Sequence, residues 1–141
     1  MDICKGRNNI KMQNNEKEYE IEDVENNCDN EDYMEKALES GAAWVIAYAD
    51  EKIHSNKKIM LKAVKIDGQM LYYASKEIRD DKEVVLEAVK NKWLILKYAS
   101  KRLRGDKDIV TAALSQNMKA IIYATEKLQN DKEFLESFST K

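Results

Sequence analysis

Four Tyr-Ala dipeptides, at 48–49, 73–74, 98–99 and 123–124, stand 25 residues apart. Ile53, Ile78, Leu103 and Leu128 keep the same interval, as do Ala63, Ala88 and Ala113. A fixed period of this size is the mark of stacked structural units. The chain divides on it into copies at about 30–55, 56–80, 81–105 and 106–130, with a partial copy at 131–141. One 25-residue copy falls well short of the roughly 40 residues below which chains rarely fold unaided. Each copy must therefore bury its apolar face against the next, which restricts the architecture to a stack.

The copy at 81–105 shows what is stacked. Val84, Val85, Ala88 and Val89 fall on one face at helical spacing. Asp80 with Glu83, like Asn130 with Glu133, reads as a capping box. Asp81, Asp106 and Asp131 then lie in a first turn, where negative charge complements the helix dipole. Asn91, Asn117, Asp67-Gly68 and Gly41 follow as residues suited to the left-handed conformation after a helix end. Trp93 to Leu103 reads as a second helix, with Leu96, Ala99 and Leu103 on one side. With no proline and four glycines in 141 residues, little interrupts these helices. The expected fold is all-α: a solenoid-like stack of four short antiparallel helical hairpins, closed by a capping helix that uses Phe134, Leu135 and Phe138. Alanine columns at 37, 63, 88 and 113 and at 49, 74, 99 and 124 are the expected points of close approach between layers.

Charge divides the chain differently. Residues 1–32 hold 4 Lys/Arg against 10 Asp/Glu, a net −6, while 33–141 hold 20 against 16, a net +4. An acidic segment poor in large apolar groups cannot offset its ordering entropy, so 1–29 is expected to be a disordered tail. Cys4 and Cys28 both fall in it, and without a secretory signal they read as free thiols of a reducing compartment, with a disulfide between them as the minor alternative. Absence of an 18-residue apolar run argues against a membrane span. The expected location is intracellular, in the cytoplasm.

Asp-x-Glu-Val-Val-Leu-x-Ala-Val-Lys at 81–90, followed by Leu-x-Tyr-Ala-Ser-x-x-Leu at 96–103, resembles the repeat of the "domain of unknown function 4116" family. The resemblance extends over roughly 30–136 and is closest in the middle copies. It implies a tandem helical-hairpin array. It carries no catalytic activity or ligand, so no residue role transfers with it.

The recurring Tyr48, Tyr73, Tyr98 and Tyr123 sit at the edge of the apolar arc. They either pack between layers with the hydroxyl outward, or form a ladder that grips a peptide or stacks bases. Lys76, Lys101 and Arg102 lie beside them, and Trp93 opens a second arm. Tyr73, Tyr98, Tyr123, Lys76, Lys101, Arg102 and Trp93 form the candidate binding face. His54, the one histidine, is expected in an exposed loop and cannot supply a zinc set with two distant cysteines. No phosphate loop or nucleophile–base arrangement is visible, so no cofactor, metal, small-molecule substrate or catalytic residue is expected. The expected function is that of a non-catalytic protein-interaction or scaffolding module, bound to another protein within a larger assembly. Weak nucleic-acid binding through the basic and tyrosine residues is the alternative, though a body at +4 supports it little.

Overall fold

The computed structural model describes residues 11–14 and 17–139, with side chains from Tyr19 onward. It is a helical repeat stack, and one unit explains the rest. In the unit that begins at Asp81, helix α6 (Lys82–Asn91) is followed by a 3-10 helix, η3 (Trp93–Tyr98), and by a single helical turn, α7 (Lys101–Arg104). The same three pieces recur as α4 (Lys57–Ile66), η2 (Gly68–Tyr73) and α5 (Lys76–Arg79). They return as α8 (Lys107–Leu114), η4 (Met118–Tyr123) and α9 (Glu126–Gln129). The first unit has α2 (Glu31–Glu39), η1 (Ala43–Tyr48) and α3 (Glu51–His54). A last long helix, α10 (Lys132–Ser139), ends the stack with Phe134 buried.

The second arm is thus two pieces where one continuous helix was expected. Ile95 N–H bonds to Lys92 and Ala99 N–H to Leu96, the i to i−3 pattern of a 3-10 helix. Ala74, Ala99 and Ala124 then turn extended, with ψ of 152°, 157° and 160°. At the next position a new helix starts. Ser75 and Ser100 each accept from a backbone N–H three residues on, at 3.3 Å, as N-caps do. Neither serine is a helix interior residue.

Capping of the long helices also sits one residue later than the sequence suggested. Asp81 is the N-cap of α6, accepting from Val84 N–H at 3.2 Å, and Asp106 and Asp131 serve α8 and α10 likewise. Asp80 instead closes α5 and faces the next unit. Among the described glycines only Gly41 takes a positive φ (90°). Asp67 and Asn117 are extended, and their carboxylate and amide oxygens cap η2 and η4.

Units are joined along three lines that repeat with the period. Long helices pack on long helices (α2 on α4, α4 on α6, α6 on α8), and 3-10 rungs on rungs. Ala37, Ala63, Ala88 and Ala113 are all fully buried at this seam. The second line is a main-chain bond: Ser75 N–H donates to the His54 carbonyl, Ser100 to Arg79 and Thr125 to Arg104, at 3.0–3.1 Å. The third is ionic. Lys57, Lys82 and Lys107 reach forward to the N-cap aspartates Asp81, Asp106 and Asp131 at 3.0, 3.0 and 3.5 Å. These pairs are solvent-facing, so they set register more than they add stability.

The folded body begins before residue 30. A short antiparallel pair, β1 (Lys11–Asn14) with β2 (Lys17–Glu20), leads into α1 (Ile21–Asn26). Tyr19, Ile21 and Val24 are buried, Val24 completely. The Cys28 carbonyl accepts from Asp50 N–H, the bond that His54 makes to Ser75 one unit later. Helix α1 therefore stands where the short helix of a preceding unit would stand. Average acidity hid this, because the few apolar side chains here have the open end of the stack to dock on. Cys28 is disulfide-bonded rather than a free thiol. Cys4, the remaining cysteine, lies outside the described residues, as does the expected tail over 1–10.

Candidate interaction surface

A 3-10 helix has three residues per turn, so side chains three apart eclipse one another. Each six-residue rung consequently sorts its positions into fixed directions. Third positions (Val45, Met70, Ile95, Ala120) are all buried. Fourth positions Ile46, Leu71 and Leu96 are fully buried. Sixth positions are the tyrosines, all half-buried against the core. In η2, η3 and η4 the second and fifth positions point away from the core: Gln69 and Tyr72, Leu94 and Lys97, Lys119 and Ile122. Gln69 among them is half-buried and the other five are exposed, whereas in η1 Trp44 and Ala47 are half-buried, Trp44 against the core. Tyr72 is 50% exposed, Leu94 43% and Ile122 65%. Met118, at the first position of its rung, is 50% exposed.

The tyrosines expected on the binding face have protein partners. Tyr73 lies 6.2 Å from the His54 ring and 5.1 Å from Tyr72. Tyr98 meets Tyr72 edge-on at 5.2 Å across the unit boundary. Tyr123 lies 6.4 Å from Trp93, whose backbone N–H donates to Gln116 Oε1 at 3.1 Å. Gln69, then burial working the other way, then Lys97 act on the Tyr98 phenol, and the net direction is below its ordinary value. Lys97 Nζ sits 5.0 Å from the Tyr98 ring. Lys76 and Lys101 are exposed at the starts of the short helices. Arg102 is engaged already: Nε donates to Asp80 Oδ1 at 2.9 Å and Nη2 to the Asp80 carbonyl at 2.7 Å. The Ser100 hydroxyl, then Arg102, hold the Asp80 carboxyl below its usual range against the opposing effect of burial.

His54 is not a loop residue. It ends α3 half-buried, and Nε2 donates to the Ile46 carbonyl at 2.8 Å. Arg79 and Gln129, one and three periods on, donate to the Ala74 and Ala124 carbonyls at 3.1 and 2.8 Å. Arg79 also reaches the Tyr72 carbonyl. This column ties the short helix to the end of its rung, a structural role that leaves His54 no catalytic geometry. Among the described residues no three His, Cys, Asp or Glu side chains converge as a metal set, and no helix is long and apolar enough to cross a membrane. A shallow cavity of about 430 Å³ lies between α3 and α5, lined by Glu51, Ser75, Lys76, Glu77 and Arg79. Its charges are mixed.

Tyr72, Leu94, Met118, Ile122 and Lys119 were not singled out in the sequence. The signal that finds them is a period of three within each rung, available once the rung is known to be 3-10.

These features define a helical repeat protein whose outward surface is written in rungs. The chain belongs to the family described as domain of unknown function (DUF4116), whose model matches residues 30–79 and 81–129. Each match spans two of the 25-residue units. No curated protein and no solved structure matches the chain.

Proposed function

We propose that this chain is a non-catalytic protein-interaction module, a scaffold that presents its rungs to another protein. The observation that carries the reading is that Tyr72, Leu94 and Ile122 stand exposed at outward positions of three consecutive rungs, with Met118 exposed beside them. Scattered apolar side chains on a surface need no explanation, but aligned ones mark interaction sites. Repeat stacks supply such surfaces because each unit presents the same positions in the same direction. Tyr73, Tyr98 and Tyr123 support the rungs from behind, and Lys76 and Lys101 contribute charge at the margin.

Affinity purification with mass spectrometry tests this, comparing wild type with a Tyr72→Ser/Lys97→Ser/Ile122→Ser variant. A protein partner retained at 0.5 M salt by wild type alone is the expected result (a concentration on the order of several times physiological, where phosphate contacts have weakened steeply). Recovery of nucleic acid that is lost steeply with salt, and of no protein, refutes the module and favours the alternative reading.

A further inference from the structure

The rungs carry an asymmetry that sets the chemistry of what they bind. None of the residues 68–73, 93–98 or 118–123 is acidic, although 26 of the 141 residues in the chain are Asp or Glu. Two of the outward positions are lysines, Lys97 and Lys119. At the starts of the long helices Lys57, Lys82 and Lys107 each hold an aspartate of the next unit, and Lys92, just after α6, holds Asp67 at 2.9 Å. Among the described residues Lys97 and Lys119 have no such carboxylate. Lysines without a carboxylate partner also stand elsewhere among the described residues, as at Lys65, Lys76 and Lys101, but Lys97 and Lys119 stand on rungs that hold no acidic residue and leave apolar side chains uncovered.

We infer that the second and fifth positions of η2, η3 and η4 form a docking strip for an acidic, apolar segment of a partner protein, laid across the rungs along the stack. This deepens the proposed function and rests on it. Charge complementarity selects the occupant: the apolar side chains of such a segment cover Tyr72, Leu94 and Ile122, and its carboxylates meet Lys97 and Lys119. Continuity along the stack is physical, since η2 packs on η3 and η3 on η4, and the Tyr72 and Tyr98 rings touch across the first of these joints. The strip is two side chains wide, which suits one polypeptide.

Selection of a random 12-residue peptide display library on the purified full chain tests the inference. Enriched peptides should interleave Asp or Glu with Leu, Ile or Phe. Fluorescence anisotropy with the most enriched peptide should show at least tenfold weaker binding to a Leu94→Glu/Ile122→Glu variant. A Lys65→Glu control on α4 should stay within twofold of wild type. Both substituted rung residues are exposed, and an unchanged thermal midpoint confirms that the variant folds. Enriched peptides without carboxylates, or binding indifferent to the Leu94→Glu/Ile122→Glu pair, overturn the strip while leaving the interaction module standing. Failure to select any peptide, with binding instead to phosphatidylserine vesicles that the same variant abolishes, overturns both.

Discussion

Gly68 opens rung η2 directly beneath the end of helix α6 of the following unit. Its N–H donates to Asn91 Oδ1 at 2.7 Å. A methyl group built at this position lies 2.5 Å from the Ala88 carbonyl oxygen and 3.2 Å from Asn91 Oδ1. The first contact is with backbone, and that carbonyl is already fixed by accepting from Lys92 N–H at 3.0 Å. A side chain cannot swing aside to relieve it, so Gly68→Ala must push one unit away from the next. Overpacking of this kind costs about 1–3 kcal/mol. Reduced freedom of the unfolded chain returns about 0.4–1 kcal/mol, leaving a net loss of roughly 1–2 kcal/mol. Gly105→Ala is the matched control. Its added methyl meets only the Thr125 side chain, at 3.1 and 3.3 Å, which can yield by a few tenths of an ångström. Its net effect should lie within about 0.5 kcal/mol of zero, as surface changes usually do. Urea unfolding followed by circular dichroism measures both. A Gly68→Ala protein as stable as wild type would refute the idea that units meet backbone against backbone at this point.

Four other outcomes are expected. Ser100→Ala should lower stability by about 1 kcal/mol through loss of the α7 cap, read from the urea midpoint, and no change would mean the cap is idle. Ala99→Leu should cost roughly 1–3 kcal/mol by overpacking at the buried foot of η3, measured by thermal melting. In Asp81 and Asp106 burial raises the carboxyl pKa, but Lys57 and Lys82 with the backbone N–H groups of Val84 and Ile109 outweigh it, so both lie below their usual range. A depressed folded value contributes stability above the ordinary carboxyl value of 3.8 that is lost as pH falls through it, so acid unfolding of Asp81→Asn/Asp106→Asn should be shallower than wild type below about pH 4. Burial first, then Asp23 and Tyr19, push the Tyr33 phenol up to about 12 from 10.0, so stability present below pH 10 should decline between pH 10 and 12, and Tyr33→Phe should flatten that decline in a pH-scanned melt.

The period made the stack legible, because equal spacing of Ile78, Leu103 and Leu128 demands equal environments, and all three are buried. The alanine columns were legible for the same reason. What escaped was local. Trp93 to Leu103 contains enough apolar residues to satisfy a 3.6-residue period over one helix, so the extended turn at Ala99 was invisible in the pattern. Ser75 and Ser100 announced it as helix-start residues within an apparent helix. Asp80 and Asp81 are adjacent carboxylates that a sequence cannot rank as caps, and the contacts from Ser100 and Arg102 assign Asp80 to the next unit. Helix α1 was hidden because Ile21 and Val24 are two apolar residues in an acidic stretch, and their burial depends on a surface provided by η1.

The broken second arm decides the matter, and hydrogen-bond scalar couplings report on it atom by atom. In a long-range HNCO spectrum the Ser75, Ser100 and Thr125 amides should couple to the carbonyls of His54, Arg79 and Arg104, each 21 residues earlier, across bonds of 3.0–3.1 Å. Coupling of the Ser100 amide to Leu96, four residues back, would mean an unbroken helix and would contradict the stacked three-piece unit.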